Sequence, residues 1–304
     1  FGLALAQRHD WRSRRTWVIA AATVLSAALA IGSRVDAAAY VALVVAVVLV
    51  FTGLSRARRS WISTALLGSI ALIGLAQFAT FGTPGSGVSG GMGGAEPGLG
   101  LLAMNVVYLP VYFSGAVGGM AQGWNDTALP PMVFVFGLLV LGALAYRGIQ
   151  QLSTRKTAAT LLALAAMVAV PLAFLQREGL GVGEVVQARY LLPLMVVFFA
   201  TLSLPAAFAK VRTAGLPLPR SAAWSIGTLM AATASLSLWV HAHRYAAGTT
   251  RGLFDIDLQM DWTGLLAIPL PLVAAVGVFA SIAYVFAAMT VVSHDAGSRS
   301  PTSC

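Results

Sequence analysis

Two short tracts of the 304-residue chain hold the residues best suited to chemistry at a membrane surface. In Gln187-Ala188-Arg189-Tyr190-Leu191-Leu192-Pro193, an outer loop turns into an apolar helix at the depth where lipid phosphates sit. An arginine fork binds phosphate through two parallel N–H donors, so Arg189 suits a lipid-phosphate contact, with Gln187 and Tyr190 beside it. An arginine next to a tyrosine is equally a common interfacial anchor. The local residues leave both readings open. The second tract is Gly123-Trp124-Asn125-Asp126-Thr127-Ala128-Leu129-Pro130-Pro131. Asp126 or Thr127 can cap the helix that follows, and Pro130 or Pro131 can fill its first turn. Alternatively, Trp124 and Asp126 flank a surface site.

Other polar clusters are less specific. His241-x-His243 would bring two imidazoles together on an extended segment but splay them on a helix, and the sequence offers no third ligand. Asp255, Asp257 and Asp261 are hard oxygen ligands that could hold a divalent cation, but they read more simply as a solvated acidic loop. No metal or other cofactor is expected apart from that cation. The glycine-rich stretch from Gly82 to Gly94 has no lysine, and no strand precedes it as a phosphate loop requires; it reads as a linker. The zinc-protease helix and the nucleotide loop are missing from the sequence. The one cysteine, Cys304, is the last residue and allows no internal disulfide.

The elements that position these residues follow from composition. The chain is 58% hydrophobic and 10% charged, with a mean hydropathy of +0.83. Soluble domains carry about 25% charged residues. Apolar runs of about 18 or more residues are long enough to cross some 30 Å of hydrocarbon as helices. They are continuously apolar, without the alternation of an outer-membrane barrel. The expected fold is therefore an all-α, polytopic bundle of about eight transmembrane helices. The spans are placed at residues 16–32, 37–54, 61–82, 131–146, 157–175, 190–209, 222–243 and 264–292. The first is short and needs help from its flanks. Segment 99–119 is apolar but interrupted by Asn105, Pro110 and glycines. It is expected to form re-entrant or interfacial short helices within a long outer loop, a ninth span being the alternative.

Lysine and arginine set the orientation. With the first residues inside, 14 of the 19 basic residues fall on the inner side and 5 on the outer, while 8 of the 10 acids fall outside. The positive-inside rule then makes both ends of the chain cytoplasmic. Residues 1–15 form a cytoplasmic segment, 16–292 the transmembrane domain, and 293–304 a disordered cytoplasmic tail. The apolar Phe1 to Ala6 reads as the tail of an earlier membrane helix, so the chain is expected to be the C-terminal part of a longer protein. The net charge of +9 is distributed as topology requires, not as a nucleic-acid surface.

Gly123 to Pro130 and Val186 to Pro193 resemble the paired tracts of a bacterial family of predicted membrane proteins, the domain-of-unknown-function 2142 family. Ala188 stands where glycine is usual. The resemblance spans most of the chain, from about the third span onward. That family is similar to the C-type multi-pass glycosyltransferases, which take a sugar from a polyprenyl-phosphate donor on the extracytoplasmic face of the cell membrane. The resemblance implies membrane lipid and a polyprenyl-phosphate-linked sugar as partners. It makes Arg189, Gln187, Tyr190, Trp124 and Asp126 the substrate-binding residues. The family's acidic outer-loop tract is not found in this sequence, so the catalytic carboxylate is expected on a missing N-terminal part. A transporter or flippase is a second reading, but the spans hold almost no ionisable residues at mid-depth and no clear repeat. A non-catalytic assembly partner of envelope enzymes is the third.

Overall fold

A computed structural model describes residues 2–6, 10–33, 35–81, 96–119, 129–184, 188–204 and 220–247. The described residues are helical, with no strand among them. The helices are α1 (Gly2–Ala6), α2 (Arg14–Ser33), α3 (Val35–Thr52), α4 (Leu54–Arg59), α5 (Trp61–Phe81) and α6 (Leu99–Ser114). They continue with α7 (Pro131–Ile149), α8 (Thr154–Glu178), α9 (Leu192–Ser203) and α10 (Arg220–Ala247). A π turn, Gly115–Gly119, ends α6, and a 3-10 turn, Ala188–Leu191, precedes α9.

Five of the described helices are long and apolar enough to cross a membrane: α2, α5, α6 with its π turn, α7 and α8. The first predicted span proves longer than expected. α2 starts at Arg14 and has 20 residues, about 30 Å of helix, so its own length suffices. α3 and α9 are shorter apolar helices, and only 12 residues of the span predicted over 190–209 are described as α-helix. The span predicted over 222–243 is a helix, α10. The one predicted over 264–292 lies outside the described residues, as does the tail at 293–304. Segment 99–119 departs from the expected pair of short helices. α6 runs unbroken through Asn105 and Pro110, and the chain leaves the helix only at Val117 and Gly118.

The chain divides into two compact units, one of residues 1–106, 148–181 and 193–208, the other of the remainder. In the first, α3 is the hub, packed by α1, α2, α4, α5 and α8. Leu5, Ala6, Ala20, Val45, Val48 and Leu67 form one buried cluster; Val47, Phe51, Ala159 and Ala163 form another. Small residues allow this closeness. A Cβ on Gly74 would lie 2.9 Å from the Ala38 carbonyl oxygen, so α5 and α3 touch backbone to backbone there. The opposite faces are apolar and exposed, as at Leu25, Leu29, Leu72 and Ile73. Helices apolar on every face suit a lipid surround.

Lipid cannot hydrogen-bond the orphan carbonyls at a helix end, so other segments must. Ser60 Oγ donates to Ala6 O at 3.2 Å, and Gln77 Nε2 to Ile31 O at 3.4 Å. Arg155 Nη1 donates to Thr52 O at 3.2 Å, over Gly53, whose φ of 77° and lack of Cβ leave room for the guanidinium. Lys156, fully buried, donates from Nζ to Gly148 O at 2.9 Å. A cation at a helix C-terminus also meets the negative end of the helix dipole.

In the second unit α7 packs on the π turn. Val117 faces Gly137, where a Cβ would sit 3.4 Å from its own. The other face of α7 is a shallow apolar groove of Val135, Leu138, Leu139, Gly142 and Ala143.

Candidate functional site

Ahead of the Arg189 tract in the chain, α8 ends in a cap. Gly179 takes a left-handed φ of 65°. Its N–H donates to Gln176 O at 3.4 Å, and that of Leu180 donates to Leu175 O at 2.9 Å. This is the paired bonding of a Schellman cap, and Leu175 and Leu180 are both buried in it. The end of α8 is fixed to the start of α6 by two carboxamides. Gln176 Nε2 donates to Gly98 O at 3.0 Å. Asn105, fully buried, donates from Nδ2 to Leu180 O at 2.9 Å. The residue that looked like a helix breaker therefore joins two segments.

The Arg189 tract itself is the 3-10 turn Ala188–Leu191, which leads directly into α9. Ala188 and Leu191 are buried and Tyr190 is half-buried. The turn packs on Gly115–Gly119 at the end of α6. Val117 (φ −104°, ψ 16°) and Gly118 (φ 102°, ψ 4°) carry the chain out of the helix there. A side chain at Gly118 would be strained by the backbone angle. Its Cβ would also lie 3.2 Å from Val133 Cγ1 and 3.3 Å from Leu129 Cδ1. A Cβ on Gly119 would lie 2.9 Å from Ser114 O. The glycines that seemed only to interrupt an apolar segment let the chain leave α6 and pack closely on the start of α7.

The remaining predicted site residues are not brought to this place by anything described. The Arg189 side chain and all of Gln187, Trp124 and Asp126 lie outside the described residues, as do Asp255, Asp257 and Asp261. Among the described residues no three His, Cys, Asp or Glu side chains are grouped as a metal would need. His241 and His243 both lie on α10, where positions i and i+2 diverge. His241 Nδ1 is 2.8 Å from Ser237 O and so donates to it. The buried His243 ring sits 6.0 Å from that of Trp239, tilted by 43°.

The arrangement is a turn of fixed backbone opening an apolar helix. The positive dipole end of a helix favours an anion, and an arginine lies in the turn that precedes this one. Sequence reasoning singled out the Arg189 tract as a candidate but did not foresee the turn on which it packs. The cluster Gly115, Gly118 and Gly119 was the available signal. Asn105 and Gln176 could not be paired with backbone carbonyls from sequence, since their acceptors lie 75 and 78 residues away.

No curated protein and no solved structure matches the chain. The family described as predicted membrane protein (DUF2142) matches residues 2–198. The match takes in both tracts and also α1 to α4, ahead of the third span where the resemblance was expected to begin. Over most of its length, from α1 into α9, the chain therefore belongs to the DUF2142 family of predicted membrane proteins.

Proposed function

We propose that the chain is the membrane region of a polyprenyl-phosphate-sugar-dependent glycosyltransferase that acts at the extracytoplasmic face of a bacterial cell membrane in envelope glycan assembly. The observation that carries this reading is the Arg189 tract, held as a 3-10 turn against the Gly115–Gly119 turn at the start of an apolar helix. A lipid-linked phosphate matches such a place in both its parts. Its charge suits the arginine and the helix N-terminus, and its isoprenoid tail suits the apolar surroundings. In the reaction, a carboxylate removes the acceptor hydroxyl proton as the acceptor oxygen attacks the anomeric carbon. The sugar–phosphate bond breaks, and the polyprenyl phosphate leaves with the bonding pair. Arg189 stabilises the phosphate as it departs, Asp126 orients sugar or acceptor, and Gln187, Tyr190 and Trp124 line the site. The role of base is assigned to no residue of this chain.

The same reading places the basic loops in the cytoplasm. The Arg155–Thr52 contact supports one shared side for the loop after α3 and the loop before α8. The chain between those loops then crosses an even number of times, so α5, α6 and α7 do not all span. α6 is the one we assign to the outer surface. Its residues Gly98 and Asn105 meet Gln176 and Leu180 in that order, so it advances in the direction in which α8 leaves.

The test is saturation binding of radiolabelled polyprenyl monophosphate to the full chain in lipid nanodiscs, with excess anionic phospholipid as competitor. A charge-assisted hydrogen bond contributes about 1.5–3 kcal/mol. Lysine keeps the charge but loses the fork, so Arg189→Lys is expected to weaken binding on the order of ten- to a hundredfold, with insertion unchanged. A lipid anchor behaves otherwise, because lysine snorkels as well as arginine. Near-wild-type affinity in Arg189→Lys refutes the phosphate fork.

A further inference from the structure

The tetrad Arg14-Arg15-Thr16-Trp17 at the start of α2 recurs as Arg58-Arg59-Ser60-Trp61 where α4 gives way to α5. The two copies are held alike. Thr16 and Ser60 are buried; Thr16 Oγ1 donates to Asp10 O at 2.7 Å, and Ser60 Oγ to Ala6 O at 3.2 Å. Both acceptors lie in the short stretch from the last residue of α1 to the turn ahead of α2. The four arginines are exposed, as are Trp17 (60%) and Trp61 (67%). α2 and α5 also run parallel. Near their starts Ile19 and Ala20 share a cluster with Leu66 and Leu67, and near their ends Gln77 Nε2 reaches Ile31 O. Counted back from that bond at about 1.5 Å per residue, Trp17 and Trp61 differ in depth by only ~3 Å.

Charge and apolar surface meet at this level. Asp10, the acid nearest the first tetrad in sequence, turns Oδ1 to the Arg12 backbone N–H at 2.9 Å. Among the described residues no carboxylate pairs with Arg14, Arg15, Arg58 or Arg59. Trp11 packs edge-on against Trp17, with ring centroids 5.3 Å apart. Beyond the tryptophans the helices expose Val18 and Leu25 on α2, and Ile62 and Leu72 on α5. A ligand that fits both parts carries a phosphate for the guanidinium groups and an acyl chain for the apolar faces. Indole rings favour the boundary between the two. We propose that the two tetrads form a docking surface for anionic phospholipid in the leaflet at that end of the first unit. The arginines draw the headgroup phosphates, Trp17 and Trp61 fix the depth, and Thr16 and Ser60 tie both tetrads to one stretch of backbone. The proposal does not depend on the reading of Arg189, which belongs to the other unit.

The experiment is electron spin resonance of the full chain in phosphatidylcholine proteoliposomes, with trace spin-labelled phosphatidylglycerol or spin-labelled phosphatidylcholine as probe. A basic residue at an anionic headgroup layer is worth about fivefold in partition, and exposed charges are screened. The protein is therefore expected to hold phosphatidylglycerol over phosphatidylcholine by about five- to tenfold. Arg14→Gln/Arg15→Gln and Arg58→Gln/Arg59→Gln are each expected to lower that preference to about two- to threefold, and the four changes together to remove it. Arg177→Gln, at an exposed arginine near the end of α8, is expected to change nothing. If a paired variant does not insert, Arg15→Gln or Arg59→Gln takes its place; failure of these to insert as well would show a purely structural role and overturn the proposal. No preference in the wild type, a preference that survives the paired changes, or an equal loss in Arg177→Gln would each overturn it too. Loss with one pair alone would overturn the equivalence of the tetrads.

Discussion

Replacing Asn105 by leucine removes a buried carboxamide, and with it the bond to Leu180 O, at nearly constant volume. Asn105 is fully buried, and its Nδ2 donates to a carbonyl oxygen of the equally buried Leu180 at 2.9 Å. Leucine removes the donor and leaves that carbonyl facing a methyl group. A lost neutral hydrogen bond costs about 0.5–1.5 kcal/mol, and the orphaned acceptor raises this to about 1–3 kcal/mol. Interhelical hydrogen bonds in membranes average about 0.6 kcal/mol, with a maximum near 1.7, which favours the lower half of the range. The expected loss is therefore about 1–2 kcal/mol, roughly a five- to thirtyfold shift in the folded ratio. Gln176→Leu provides the comparison. It deletes a bond of similar length, 3.0 Å to Gly98 O, in an exposed setting where water can replace the donor. Its expected cost is below about 0.5 kcal/mol. Reversible unfolding in mixed micelles of increasing sodium dodecyl sulfate, followed by tryptophan fluorescence, measures both. If Asn105→Leu is no more costly than Gln176→Leu, burial does not set the strength of this contact and the reasoning fails.

Gly74→Ala should destabilise the first unit by about 1–3 kcal/mol in the same assay, since the added methyl meets the Ala38 carbonyl oxygen. Gly68→Ala, with nothing within 4 Å of its Cβ, should be neutral or stabilising by up to about 1 kcal/mol; equal effects at the two glycines would refute close α3–α5 packing. For orientation, single cysteines in a Cys304→Ser background should separate by side. Ser153→Cys should be shielded from an impermeant thiol reagent in intact cells, and Ser89→Cys should be labelled. Labelling at position 153 would invert the assigned topology.

The helices were largely legible because a membrane span leaves a strong one-dimensional trace. Uninterrupted apolar length predicted α5 at 61–82 and α8 at 157–175, and the helices run Trp61–Phe81 and Thr154–Glu178. The errors fall where polar or small residues break that trace for reasons of three-dimensional contact. Asn105 looked like an interruption because the acceptor of its Nδ2, Leu180 O, lies 75 residues away in the chain. Arg14 and Arg15 were left outside the first span because they are charged, yet both lie in the first turn of α2. At the candidate site, the residue types of the Arg189 tract were readable, since arginine and tyrosine at a loop-to-helix junction have few chemical uses. Its seat was not. A glycine cluster announces backbone freedom but does not say which segment will use it.

The hydrogen bond from Arg155 to Thr52 O has a consequence for how the chain is made. Its donor is synthesised 103 residues after its acceptor. At a synthesis rate of about 5–20 residues per second, that is a wait of roughly 5–20 s. Through that interval the end of α3 has a carbonyl without its eventual donor. The Schellman cap of α8 is made later still, and only then can Asn105, by then long synthesised, reach Leu180 O. If that bond secures α3, its end stays loosely held until α8 arrives. A ribosome stalled between Thr52 and Arg155 should leave α3 extractable from the membrane under conditions that no longer release it once α8 is complete.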